Sequence, residues 1–207
     1  MLKNFDLVKK SFNSINIGIY GLVSIALMFI FMISAYFHFP GYKIFLNVVS
    51  VLGLGEGGIF FNIGLIISGI FLIPFFFKYN SYYTINSEKK MKNLTKILGL
   101  ISSSSYLLLG FFPIHFFVHY ILVFNIFFIG MIDLIIINNI ILKQTQYSKL
   151  MSIPNLILIF SVISYLIMLL FVYHLHAIAE WITVFAFGFW VVINSSYFIL
   201  AKSKHSQ

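Results

Sequence analysis

Apolar residues fill this chain in long blocks, and polar residues are confined to the short gaps between them. Six blocks approach about 20 residues, the length a helix needs to cross a hydrocarbon core about 30 Å thick. They predict helices at about 15–37, 59–77, 94–113, 118–142, 153–173 and 178–200. The third and fourth blocks are almost continuous. As one helix, Ile97 to Leu142 would reach about 69 Å at about 1.5 Å per residue, more than twice one crossing. The chain must therefore turn back, and Pro113 with His115 is where a helix breaker and polarity coincide. The expected fold class is an all-α integral membrane bundle of six transmembrane helices, a single polytopic domain over residues 1–207.

Charge placement orients the bundle. With the N-terminus in the cytoplasm, Lys3, Lys9, Lys10, Lys78, Lys89, Lys90, Lys92, Lys96, Lys143, Lys149, Lys202 and Lys204 all lie inside, and only Lys43 lies outside. That asymmetry is the positive-inside pattern, and removing one span would scramble it. Both termini are expected in the cytoplasm of a cell-membrane protein. The first block is too long for the apolar region of a signal peptide, and no small-residue cleavage site follows it, so a retained span is expected.

Composition adds exclusions. The chain is 61% hydrophobic and 9% charged, against about 25% charged in soluble domains. It has no cysteine, which removes disulfides, thiolate metal sites and cysteine nucleophiles. All 13 basic residues are lysines and the net charge is +8, with no basic stripe on a soluble surface for nucleic acid, so the excess reads as topology. Membrane lipids are the expected partners; protein partners and a homo-oligomer stay open.

Polar residues collect at one face. His38, Lys43, Glu56, His115, His119, His174, His176 and Glu180 fall at the extracytoplasmic side of these spans. His115 and His119 are four apart, as are His176 and Glu180, so each pair shares a face if it lies on a helix. His115, His119, His176 and Glu180 could then supply an N/O zinc site with an open water position, able to activate water against a lipid ester or amide. The plainer reading is that half-polar rings sit at the aqueous rim. Glu180 then favours its helix N-terminus and Trp181 the interfacial aromatic belt. No cofactor beyond that zinc alternative is expected.

Asp133 stands apart inside the fourth block, about 22 Å along it from Val118 at 1.5 Å per residue. A carboxylate there must face protein or a water-filled cavity. Asn125, Asn138 and Asn139 are its candidate partners, as a proton or ion relay or as an interhelical hydrogen bond. The first loop, HFPGYKIFLNVVSVLGLGEGGIF (38–60), reads as a short interfacial helix over 42–52 and a glycine turn at 53–58. The Ser102–Ser105 run with Gly99 and Gly110 predicts a close helix contact.

Several of these features together resemble one family. Ser50, Gly53, Glu56, Ile59 and Phe60 in the first loop, His119 entering the fourth span, and Ala179-Glu180-Trp181 opening the sixth are similar to the damage-regulated autophagy modulator (DRAM) family. That family is grouped with FRAG-type and Sfk-type membrane proteins and a related prokaryotic family of unknown function. The resemblance spans about residues 15–200. It implies a six-helix membrane protein, linked in eukaryotes to membrane-lipid organisation, glycolipid-anchor maturation and autophagy, with no agreed enzyme mechanism. It also implies one outer site containing Glu56, His119 and Glu180. The expected function is a lipid-interacting or regulatory membrane protein with a polar outer cavity there. The alternatives are a ceramidase-like zinc hydrolase using the outer histidines, and a proton-coupled carrier through Asp133.

Overall fold

Backbone amides in lipid find partners only within their own segment or in protein, and helices meet that demand locally. The computed structural model describes residues 16–172 and 175–204, with side chains through 200. Lys3, Asp6, Lys9, Lys10, His174 and His205, and the side chains of Lys202 and Lys204, lie outside that description. The described residues form helices and turns without strands: α1 (Ile17–Phe37), α2 (Gly58–Tyr83), α3 (Lys89–Leu109), α4 (Phe117–Lys143), α5 (Ser152–Phe171) and α6 (His176–Lys204). Short 3-10 segments at Val49–Gly53 and Lys149–Met151 precede α2 and α5.

Packing closes these helices into a ring. α1 lies against α2 and α6, α2 against α3, α3 against α4, the second half of α4 against α5, and α5 against α6. Hydrogen bonds tie the ends together. The Asn16 side chain accepts from Gly18 N at 2.8 Å and donates to Phe198 O at 3.1 Å, so it caps α1 while holding the far end of α6. At the same end of the bundle, Tyr147 Oη donates to the carbonyls of Tyr82 and Tyr83 at 2.9 and 3.1 Å, closing the end of α2. Lys149 Nζ donates to Ile141 O and Gln144 O at 2.8 and 3.0 Å, a cation at the C-terminus of α4. At the centre Trp190 is fully buried against Phe75, Phe76 and Tyr79. Close approach of α2 to α3 depends on Gly69, where a Cβ would sit 2.7 Å from Leu107 Cα.

Among the described residues, five segments are long and apolar enough to cross a membrane: α1, α2, α4, α5 with its 3-10 lead-in, and α6. α3, expected as a sixth crossing over 94–113, runs from Lys89 and carries four lysines and the Ser102–Ser105 run, so it falls short of that standard. α2 overruns its block, ending at Tyr83 rather than near Phe77, because Tyr79, Asn80 and Tyr83 all turn inward and are fully buried.

α4 is interrupted. Between Asn125 and Ile129 it widens into a π-turn, and one inserted residue rotates the faces before and after it by about 100° relative to each other. Serines of α3 hold this irregular backbone: Ser102 Oγ donates to Ile126 O at 3.3 Å, and Asn125 Nδ2 donates to Ser105 Oγ at 3.2 Å. As a result the first part of α4 leans on α3, and a groove opens between it and the neighbouring end of α5.

The first loop does not form the helix expected over 42–52. Tyr42 Oη donates to Asn47 O and Val48 O at 3.1 and 3.0 Å, and Asn47 Oδ1 accepts from Lys43 N at 2.9 Å. These side-chain bonds occupy the groups a helix would pair, so the segment folds as turns followed by the 3-10 helix Val49–Gly53.

Candidate functional site

α6 begins with His176, so Glu180 and Trp181 come off its second turn and face the first loop. Glu180 is 7% exposed. Its carboxylate accepts from Ser50 Oγ at 3.3 Å and also from the backbone amides of Val49 and Ser50. Those amides open the Val49–Gly53 3-10 helix, whose preceding residue Val48 offers no side-chain cap. Glu180 therefore caps from across the bundle. Next to it Trp181 is buried, not at a lipid interface, and its Nε1 donates to Asn47 O at 3.3 Å. Tyr42 packs edge-on against the Trp181 ring at 6.4 Å. Its hydroxyl is pushed above its ordinary range by burial, with the Glu180 charge adding to the effect. The AEW segment is thus a clamp that holds residues 42–50 over the end of the bundle.

His119 sits in the first turn of α4, buried. Its Nδ1 lies 2.8 Å from Phe112 O. A carbonyl can only accept, so Nδ1 carries the hydrogen, and in the neutral ring Nε2 is left as an acceptor.

Two cavities meet at these residues. The inner one, about 110 Å³, lies inside the helix ring, with walls of mostly aliphatic and aromatic side chains such as Met28, Leu65, Leu158 and Val162. The outer one, about 570 Å³, is the groove between the first part of α4 and α5, bounded by Tyr120, Phe124, Tyr165, Leu169 and His176. Ser50, His119, Val123, Phe127 and Glu180 line both. Among the described residues lining either cavity, Glu180 is the only carboxylate, and none is a lysine.

The other expected members stand elsewhere. Glu56 is exposed and lines neither cavity, so it does not join His119 and Glu180. His115 precedes the start of α4 at Phe117, so it shares no helical face with His119. It is exposed, with its ring 4.1 Å from that of Phe116. His176 and Glu180 do share the groove, but among the described residues no three of His, Asp and Glu gather closely enough to hold a metal ion.

Asp133 is fully buried, and its partner is Asn80 of α2 rather than any asparagine of α4. Asn80 Nδ2 donates to Asp133 Oδ2 at 2.9 Å and to Thr95 O at 2.6 Å. Asn138 instead accepts from Ser152 Oγ at 2.8 Å, and Asn125 is engaged with Ser105. Asn139 is exposed. Asn80 was hidden from sequence reasoning because it lies in the polar stretch after Lys78, which reads as loop. Among the described residues, six buried polar atoms have no protein partner: Asn80 Oδ1, Tyr83 Oη, Asp133 Oδ1, Asn155 Nδ2, Asn194 Oδ1 and Ser195 Oγ.

A bundle of long apolar helices around an apolar interior cavity defines a multi-pass helical membrane protein. The profile of the family described as "Protein of unknown function (DUF998)" matches residues 22–196, and the chain belongs to that family. No curated protein and no solved structure matches the chain.

Proposed function

We propose that this membrane protein binds a lipid-like amphiphile, with its head group at Ser50, His119 and Glu180 and its hydrocarbon tail in the inner cavity. The observation that carries this reading is the shared wall. The same five residues border an apolar chamber inside the ring and a groove open at the side of the bundle. Polar groups at the junction of an apolar pocket with a wider mouth are the usual arrangement for orienting an amphiphilic ligand. In a bilayer the molecule available to such a mouth is lipid. On this reading α3 is a sixth crossing, its serines facing α2 and α4 rather than lipid. The lysine asymmetry then puts both termini in the cytoplasm and the Glu180 end outside. The narrower kinship with DRAM-type proteins belongs to the same proposal, supported by Ser50, His119 and the Ala179-Glu180-Trp181 segment.

The test is retention of lipid by purified protein, read by native mass spectrometry. Wild type is expected to carry one lipid per chain. Val123→Trp, which places a large ring at the junction of the two cavities, is expected to lose it while keeping its melting temperature. Equal lipid in both proteins contradicts the proposal.

A second reading has its own observation. Asp133, buried with one oxygen unpartnered and beside Asn80, whose Oδ1 is also unpartnered, suits a proton relay in a coupled carrier. Asp133→Asn should then abolish pH-dependent flux in liposomes, and unchanged flux dismisses it.

A further inference from the structure

We infer that the head group bound at Glu180 presents a primary ammonium, so that the amphiphile is an amine-bearing lipid rather than an anionic or purely hydroxylic one. This rests on the amphiphile-binding reading and goes on to name the ligand's chemistry.

The groups at the junction are matched to a donor. Glu180 receives one hydroxyl and two backbone amides, all neutral donors. Burial opposes charge on this carboxylate and its neutral donors offset that only in part, so a cationic ligand is what would hold it ionised. Among the described residues, no lysine lines either cavity to neutralise it. His119, with Nδ1 committed to Phe112 O, offers a lone pair at Nε2 rather than an N–H. A ligand thus meets a carboxylate and a neutral imidazole acceptor on facing elements, α6 and α4. A phosphate would meet the same two groups without a cation to receive it, and a buried like-charge contact is strongly unfavourable.

An ammonium reverses each of those terms. It supplies the missing counter-charge, donates to the Glu180 carboxylate in a charge-assisted bond about twice as strong as a neutral one, and has a further N–H for His119 Nε2. A hydroxyl could donate once but would leave the buried carboxylate uncompensated. Zwitterionic aminophospholipid fits if its phosphate stays toward the wide outer groove, where His176 borders the mouth.

The experiment is competition in lipid nanodiscs. Wild-type protein is equilibrated with phosphatidylethanolamine, phosphatidylglycerol, diacylglycerol and N-acetylated phosphatidylethanolamine of identical chains, and bound lipid is read by native mass spectrometry. Phosphatidylethanolamine is expected to exceed each of the others by about tenfold, the ratio that about 1.4 kcal/mol gives. Glu180→Gln keeps an oxygen for the Val49 and Ser50 amides but removes the charge, and is expected to bring the ratio within about twofold. The N-acetylated lipid removes the ammonium from the ligand side, so the question is decided even if that variant does not fold. Bound lipid with no preference, or with phosphatidylglycerol or diacylglycerol retained equally or better, overturns the ammonium assignment and leaves amphiphile binding standing. No bound lipid of any kind overturns the binding reading itself, and the head-group assignment with it.

Discussion

Ser50 and Glu180, 130 residues apart in sequence, meet across 3.3 Å, and through that contact the sixth helix caps a turn of the first loop. The carboxylate is both a structural cap and the charged edge of the cavity junction, and the two roles separate by substitution. Glu180→Ala leaves the Val49 and Ser50 amides without an acceptor, at about 1–3 kcal/mol for buried groups. Amide exchange in 48–53 should accelerate by more than tenfold. Glu180→Gln should leave exchange near wild type, and equal acceleration in both variants would reject the capping role.

Tyr42 predicts an alkaline limit to the same clamp. Its hydroxyl donates to Asn47 O and Val48 O, and burial holds its pKa above the ordinary 10.0. A folded-state pKa above the unfolded one gives stability that is complete below the unfolded value and is lost as pH rises toward the folded one. The loop should therefore stay pinned up to about pH 10 and loosen above it. Protease sensitivity of the loop as a function of pH checks this. Tyr42→Phe should be looser at neutral pH and insensitive to the alkaline change.

Asn80 is the residue that makes Asp133 tolerable inside the bundle. Replacing it with Ala removes donors from both Asp133 Oδ2 and Thr95 O and should cost about 1–3 kcal/mol per buried group left unpaired. Asp133→Asn keeps an acceptor for Asn80 without the charge, and should be neutral or stabilising. Thermal unfolding in detergent gives the order. If Asn80→Ala unfolds no earlier than Asp133→Asn, the pairing carries no weight.

Gly69→Ala tests the packing of α3 against α2. A methyl there meets the Leu107 backbone at 2.7 Å, contact that no side-chain rotation relieves. A loss of about 1–3 kcal/mol is expected, visible as a lower melting temperature. An unchanged value would mean that the two helices separate freely at this point.

The long helices were legible because lipid demands unbroken apolar runs, and periodicity of polarity mattered little. What escaped notice depended on which way a polar residue turns. Lys78 through Tyr83 looks like the start of a loop, yet Tyr79, Asn80 and Tyr83 are fully buried and extend α2. The π-turn at Asn125–Ile129 leaves no mark on an apolar stretch, although the serines opposite it on α3 announce a close contact. Glu180, Trp181 and His119 were found from composition and motif, but their roles were not. Trp181 binds a loop carbonyl instead of lying in a belt. Glu56 was grouped with them by sequence pattern and is exposed, because the glycine turn around it points away from the cavities. Spacing of four suggested a shared face for His115 and His119, and the helix begins two residues too late for it.

The central claim is that a hydrocarbon tail reaches the inside of the helix ring through the α4–α5 groove. Photolabelling in nanodiscs with a phospholipid carrying a diazirine in its acyl chain, mapped by peptide mass spectrometry, tests it most directly. Label is expected on the buried cavity residues Leu158 and Val162, and Val123→Trp should remove it there while sparing the exposed Phe160 and Leu170. Label confined to Phe160, Leu170 and other outward side chains in both proteins would contradict the account.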